Sequence, residues 1–180
     1  MRGASVGLGG TRAQSGGAID LLARSGGIAT SQALALVSTS RDARDFVRLQ
    51  AAGADGIAFA TGSSIAAGDN RALRVGVFNG TADAPLALGD VTARSLSALP
   101  ALNADATRTG GTITANGDLR FGALNVVDSF AAESLSGNLS VARIAVTGDG
   151  QGISLRAANG TLSVQNDLSA SGDVLSLIHI

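Results

Sequence analysis

The chain has no cysteine, lysine, tryptophan or tyrosine, and its single histidine, His179, stands next to the last residue. Each absence removes a class of chemistry. Without cysteine there is no disulfide, no thiol nucleophile and no thiolate ligand for structural zinc. Without lysine a phosphate-cradling loop lacks its cation. Five phenylalanines in 180 residues, with no tyrosine or tryptophan, leave no platform on which bases could stack. A Ser-His-Asp relay would depend on His179 alone. Charge is also scarce: 15% of residues are charged and the net charge is -1, so no nucleic-acid partner is expected. No run of about 18 apolar residues occurs, which argues against membrane insertion by a helix.

What remains is small and aliphatic. Hydrophobic residues make up 45% of the chain, there are 25 glycines, every basic residue is arginine, and every acidic residue is aspartate except Glu133. Three segments superimpose without gaps, beginning at Gly89-Asp90-Val91, Gly117-Asp118-Leu119 and Gly137-Asn138-Leu139, 28 and then 20 residues apart. Gly172-Asp173-Val174 reads as a fourth start. Within these units apolar residues alternate, as in Leu73, Val75, Val77 and in Ile153, Leu155, Ala157, which is the period of a strand with one buried face. Turn dipeptides punctuate the runs at Asp55-Gly56, Asn79-Gly80, Asn116-Gly117, Asp149-Gly150 and Asn159-Gly160, where left-handed backbone is easily reached. Short strands, tight turns and a period near 20 residues predict an all-β solenoid, a right-handed parallel β-helix of roughly seven or eight coils.

Two alternatives compete with it. The Asn-Gly turns could close hairpins and build an antiparallel sandwich. The stretch from Ser40 to Gly53 could be a helix capped by Ser40, although the alternation of Val47, Leu49 and Ala51 favours a strand. In the solenoid reading, residues 1–15 form an irregular or partial coil and residues 16–174 the repeat region. Leu119, Phe121, Leu124, Leu139, Val141, Ile144, Val146, Ile153, Leu155, Leu162 and Val164 then point inward. Arg120, Ser140, Ser154, Arg156 and Ser163 point outward. The five phenylalanines are expected to face inward singly. Residues 175–180, Leu-Ser-Leu-Ile-His-Ile, resemble the translation of a transposon-derived sequencing adapter and are expected to be an artefact.

The wording of the repeats, above all GNLSVARIAVTGDGQGISLRAANGTLSVQNDLSASGDV from Gly137 to Val174, resembles the parallel β-helix shafts of large bacterial exoproteins. The families are the filamentous haemagglutinin-like proteins and other surface adhesins with β-strand repeats. The resemblance implies a fragment of a structural, adhesive shaft, secreted or held at the cell surface by two-partner secretion or autotransport. It implies no enzyme, and as partners the rest of the parent exoprotein together with host or surface glycans or proteins. The secretion domain of those families, with its Asn-rich motifs, is not in this sequence, and the shafts carry over no catalytic, cofactor-binding or metal residues.

Other chemistry is weaker. Val6-Gly7-Leu8-Gly9-Gly10-Thr11-Arg12 begins like a dinucleotide loop, but Arg12 stands in place of the third glycine. Thr147-Gly148-Asp149-Gly150-Gln151-Gly152 has the look of a calcium turn, yet it occurs once, without the repeat that stacks such turns. Paired carboxylates are the one catalytic option composition permits, and a carbohydrate-acting β-helix enzyme or lectin fragment is the alternative function. Against it, Asp55, Asp69, Asp90, Asp118, Asp149 and Asp173 flank glycines at turns, where a side chain bonding its own backbone accounts for them. The cluster Arg41, Asp42, Arg44, Asp45, Arg48 balances its own charge and reads as a surface ion-pair group. Asn79, Asn138 and Asn159 match the glycosylation acceptor pattern by coincidence. No cofactor and no catalytic, cofactor-binding or metal residue is expected.

Overall fold

A computed structural model describes residues 1–102 and 111–178. In chain order the first strands are β1 (Arg2–Gly3), β2 (Val6–Leu8), β3 (Arg12–Ser15), β4 (Ile19–Ala23), β5 (Ile28–Thr30), β6 (Ala35–Ser38) and β7 (Phe46–Ala51). They are followed by β8 (Ile57–Ala58), β9 (Ser64–Ala67), β10 (Arg74–Asn79), β11 (Leu86–Leu88), β12 (Asp90–Ala93) and β13 (Ser95–Ala98). The remainder are β14 (Ile113–Ala115), β15 (Leu119–Val126), β16 (Phe130–Ser134), β17 (Leu139–Val146), β18 (Ile153–Ala157), β19 (Leu162–Val164), β20 (Leu168–Ser169) and β21 (Val174–Ile178). The one helical element among the described residues is a 3-10 turn at Asp69–Arg71.

Every strand pairs in parallel with a strand of an adjacent pass of the chain, so the strands form ladders instead of hairpins. One ladder runs β1-β4-β7-β10-β13. A second runs β2-β5-β8-β11 into the first half of β15 and on through β17 to β19. The third runs β3-β6-β9-β12 into the second half of β15 and through β17 to β20. Beyond β13 the first ladder is replaced by β14-β16-β18-β21. The only antiparallel contact among the described residues is an isolated bridge between Ala98 and Gly111. The hairpin sandwich is therefore ruled out, and the architecture is all-β and solenoid-like.

The strands β15 and β17 are long because each carries a bend. In β15 Leu119 and Phe121 are buried, Gly122 and Ala123 are not, and Leu124 and Val126 are buried again; β17 repeats this with Leu139, Val141, the Ala142-Arg143 bend, Ile144 and Val146. Two consecutive outward residues shift the alternation by one, which turns the chain so that both legs face one core. Like residues stack: Leu119 on Leu139 on Leu162, Phe121 on Val141 on Val164, Leu124 on Ile144 on Leu168. Across the core the rings of Phe121 and Phe130 meet edge to face at 5.4 Å.

Several expectations need correction. Leu162 and Val164 are only half-buried, because β19 has β17 on one side and no further strand of its ladder among the described residues. Phe59, Phe121 and Phe130 are buried, but Phe46 and Phe78 occupy the outer side of their strands and are half-exposed. Ser40 to Gly53, by contrast, follows the favoured strand reading and not the helix weighed against it: β7 fills its second half with Val47, Leu49 and Ala51 inward, and its first half is a turn in which the Asp42 carbonyl accepts the Asp45 amide at 2.9 Å. The gapless superposition of Gly89 on Gly117 is also wrong in space. Val91 faces Leu124 and Leu86 faces Leu119, so the Gly89 segment stacks on Gly122. Gly172-Asp173-Val174 does not continue the Gly117-Gly137 column either; Val174 faces Ile153 and starts β21 on a different ladder.

The glycines follow the stacking. Gly56 and Gly150 take positive φ, 60° and 67°, as turn glycines should. Gly117, Gly137 and Gly160 do not; they sit directly on one another, and a Cβ on Gly137 would lie 2.5 Å from the Gly117 carbonyl carbon. Their role is close approach between passes. Residues 1–15 contribute β1, β2 and β3, each in register with β4, β5 or β6. At the other end, β21 runs in register on β18 through Ile178, with Val174 and Leu175 about half exposed; His179 lies outside the described residues.

Candidate functional site

Because passes stack, side chains a full pass apart in sequence become neighbours on the outer surface, and ion pairs form between passes more than within them. Of the cluster at 41–48 only Asp42 and Arg44 pair with each other, at 2.8 Å. Arg41 reaches forward to Asp69 and Arg48 back to Asp20, while Asp45 accepts the Ser40 hydroxyl at 2.6 Å. The Arg44 guanidinium and backbone amide hold the exposed Asp42 carboxyl down at about 2, and the carboxylate in turn raises Arg44. Asp20 is the centre of a separate network on the outer side of the first ladder. It accepts from Arg2 at 3.1 Å, Arg48 at 3.0 Å and the Gln50 amide at 2.9 Å, and Arg48 lies 4.3 Å above the Phe46 ring. Its donors come from β1 and β7, the strands on either side of β4, so the carboxylate ties the first ladder together. Its lone pairs are committed to these donors, which is a structural arrangement and not that of an acid-base pair.

Two of the aspartates expected to bond their own turns, Asp90 and Asp118, bond the next pass instead. Asp90 accepts the Ala123 amide at 2.8 Å, Asp118 the Asn138 amide at 2.7 Å, and Asn138 the Thr161 amide at 3.0 Å, each from the pass above. In a parallel stack the equivalent turn of the next layer is as close as the residue's own backbone, so an Asx carboxyl or amide satisfies that neighbour. Of the three Asn of the acceptor pattern, Asn159 donates across passes to the Leu135 carbonyl and Asn138 is the rung just described, while Asn79 donates within its own turn to the Ala84 carbonyl. In the segment from Thr147 to Gly152 the Gln151 amide closes on the Gly148 carbonyl at 3.2 Å, a turn between strands. The segment from Val6 to Arg12 is β2, a turn at Gly10 with φ 99°, and the start of β3. Among the described residues no three His, Cys, Asp or Glu side chains converge as metal ligands.

Sequence reasoning missed Arg71. Its φ is 63°, left-handed for a non-glycine residue, and its guanidinium spans to Asn125 Oδ1 at 2.8 Å and Thr147 Oγ1 at 3.1 Å. It also missed two surface hollows. One, of about 210 Å³, lies where β13 ends its ladder beside β16, and the Oγ atoms of Ser95 and Ser97 are buried there without a hydrogen-bond partner. The other, of about 240 Å³, is a groove along the bend between the second and third ladders. Gly89 and Gly122 make its floor, and Thr61, Asp90, Arg120, Ser140 and Gln165 bring polar groups to it. Arg120 reaches the Thr61 hydroxyl and the Phe59 carbonyl only at 3.5 Å, the outer limit of a hydrogen bond. Neither hollow holds the convergent acid, base and nucleophile that a hydrolytic site requires.

No family model, curated protein or solved structure matches the chain.

Proposed function

We propose that the chain is a structural and adhesive shaft segment of a large secreted or surface-exposed bacterial exoprotein, wound as a right-handed parallel β-helix of roughly seven or eight coils. The observation that carries the reading is the pairing: every strand ladder among the described residues is parallel and joins successive passes. Such a stack lengthens by repeating nearest-neighbour contacts and needs no single large core, which suits a spacer that holds a binding region away from the cell. The resemblance of the Gly137–Val174 text to exoprotein shafts supports the surface location. The partners in this reading are the rest of the parent protein and host or surface glycans or proteins, and the segment itself performs no catalysis.

The test is surface labelling. Antibodies raised against the purified chain, applied to intact cells that produce the parent protein, are expected to label them without permeabilisation, and external protease is expected to remove the label. Label that appears only after the envelope is opened would overturn the proposal.

A further inference from the structure

The bend groove gathers exposed hydrogen-bonding groups that the fold leaves largely unused. Arg2, Arg41, Arg44, Arg48, Arg94 and Arg156 each pair with a carboxylate. Arg120 makes no ion pair among the described residues, and its two contacts, to Thr61 and to the Phe59 carbonyl, are both 3.5 Å long. Most of its five donors are free, in the planar fork that matches a carboxylate. Register fixes what lies along the groove. Arg120 stacks between Ala87 and Ser140, and Ser140 is followed by Ser163 one pass further on. Polar groups are therefore offered at the spacing of neighbouring strands, about 4.8 Å, close to the length of one pyranose ring.

From this the geometry points to a binding site for a carboxylate-bearing, hydroxyl-rich polysaccharide lying along the groove, its acid group on Arg120 and its hydroxyls on Thr61, Ser140, Gln165 and Asp90. The charge pattern sets the class. Asp90 gives one oxygen to the Ala123 amide and keeps the other for a ligand hydroxyl, but its charge opposes a densely anionic chain. A sulfated chain or a polyphosphate would meet one cation and one anion, whereas a sugar acid uses both. A peptide is disfavoured for two reasons. The phenylalanines at the groove, Phe59 and Phe121, are 2% exposed and offer no anchor. The strands that line it, β11, β15 and β17, are paired on both sides, so no edge is open for strand addition. At about 240 Å³ the groove is smaller than sites that enclose a drug-sized ligand, so a single site holds a chain across its surface with millimolar affinity. Repetition along a shaft would raise this by avidity.

The inference rests on the adhesive half of the proposed function and names its ligand class; it does not depend on the shaft itself. It is tested on the whole chain by NMR titration with a hyaluronan oligosaccharide, in which acidic and neutral sugars alternate, with its methyl ester, and with inorganic polyphosphate. Saturable shifts at Gly122, Ser140 and Gln165 are expected with the acid form only. Arg120→Gln is expected to weaken that binding at least about tenfold. Because Arg120 is exposed, the variant should fold with unchanged melting temperature and circular dichroism. Thr61→Val and Gln165→Ala should each weaken binding two- to fivefold. Equal binding of acid and ester, equal binding of polyphosphate, or an unchanged affinity in Arg120→Gln would each overturn the assignment. Loss of the groove site with surface labelling intact would leave the shaft reading standing, and loss of labelling with binding intact would leave the groove.

Discussion

The stretch from β15 to β18 and the stretch from β4 to β12 are built on the same stacking principle but with passes of different length. In the first, the sequence separation across one pass is 20 from Asp118 to Asn138 and 23 from Asn138 to Thr161. Nearly every residue there is in a strand or a tight turn, and identical or similar side chains lie on one another. In the second, the separation is 28 from Asp20 to Arg48 and 29 from Leu34 to Ser63. The surplus goes into turns, including the charged one at 40–45 and the 3-10 turn that carries Arg71. The compact stretch is held by columns of apolar side chains and rungs of Asx side chains. The longer passes carry the cross-pass ion pairs Arg48 to Asp20 and Arg41 to Asp69, against the one pair of Arg156 with Glu133 among the described residues of the compact stretch. The difference teaches that the short pass is enough to keep the ladders in register, and that added length is free to carry surface features.

The largest effects should therefore come from the compact columns. Leu139 is fully buried between Leu119 and Leu162, and Leu139→Ala should cost about 3 kcal/mol, as large-to-small changes in packed cores do. Its half-buried neighbour Leu162 in the same column should lose only about 1 kcal/mol on the same change. Denaturant unfolding of both variants measures the contrast, and equal losses would mean that the column does not stack as described.

A second comparison concerns glycine. Gly137→Ala places a methyl group against the Gly117 carbonyl carbon and the Asp118 amide, which cannot move without breaking the ladder, so a loss of about 2–3 kcal/mol is expected. Gly7 in β2 has nothing within 4 Å of its would-be Cβ, and Gly7→Ala should be neutral or slightly stabilising. Thermal melts of the two variants separate close approach from a mere preference for flexible backbone.

How far these features could be read from the sequence depends on the length of the pass. The Leu119-Leu139 register was legible because the two segments have equal spacing from glycine to bend and no insertion between them. The Gly89 segment was placed on Gly117 instead of Gly122, because a gapless superposition cannot see that the pass between them is longer. The inward and outward assignment of β15, β17 and β18 followed from alternation alone, and Ser140 takes its outward place between Leu139 and Val141 although it is half-buried there. Nothing in the sequence could show that Asp20 meets Arg2, Arg48 and Gln50, or that Thr61, Arg120 and Gln165 line one groove. Those contacts depend on register across passes of unequal length, and register is a property of the stack and not of any one strand.

The smallest effect is in the charged turn of the longer passes. The Asp42 carboxyl is held near 2 in the fold against an ordinary 3.8, so it favours the folded turn at any pH above its unfolded value. That contribution is lost as pH falls from about 4 through about 2, and it is small because the pair is fully exposed. An NMR titration should place the Asp42 midpoint near 2 in the native chain and higher, only part of the way back to its ordinary value, in Arg44→Ala, which removes the guanidinium but keeps the backbone amide. No change of midpoint on removing Arg44 would show that the turn is held by something else.

The central claim is that strands pair in parallel with the next pass and not with their sequence neighbours, and scalar couplings across hydrogen bonds read it directly. The account predicts couplings from the Leu119 amide to the Asn138 carbonyl, from Leu139 to Thr161 and from Ile153 to Asp173. Couplings that instead join β15 to β16, or β17 to β18, in antiparallel order would contradict it.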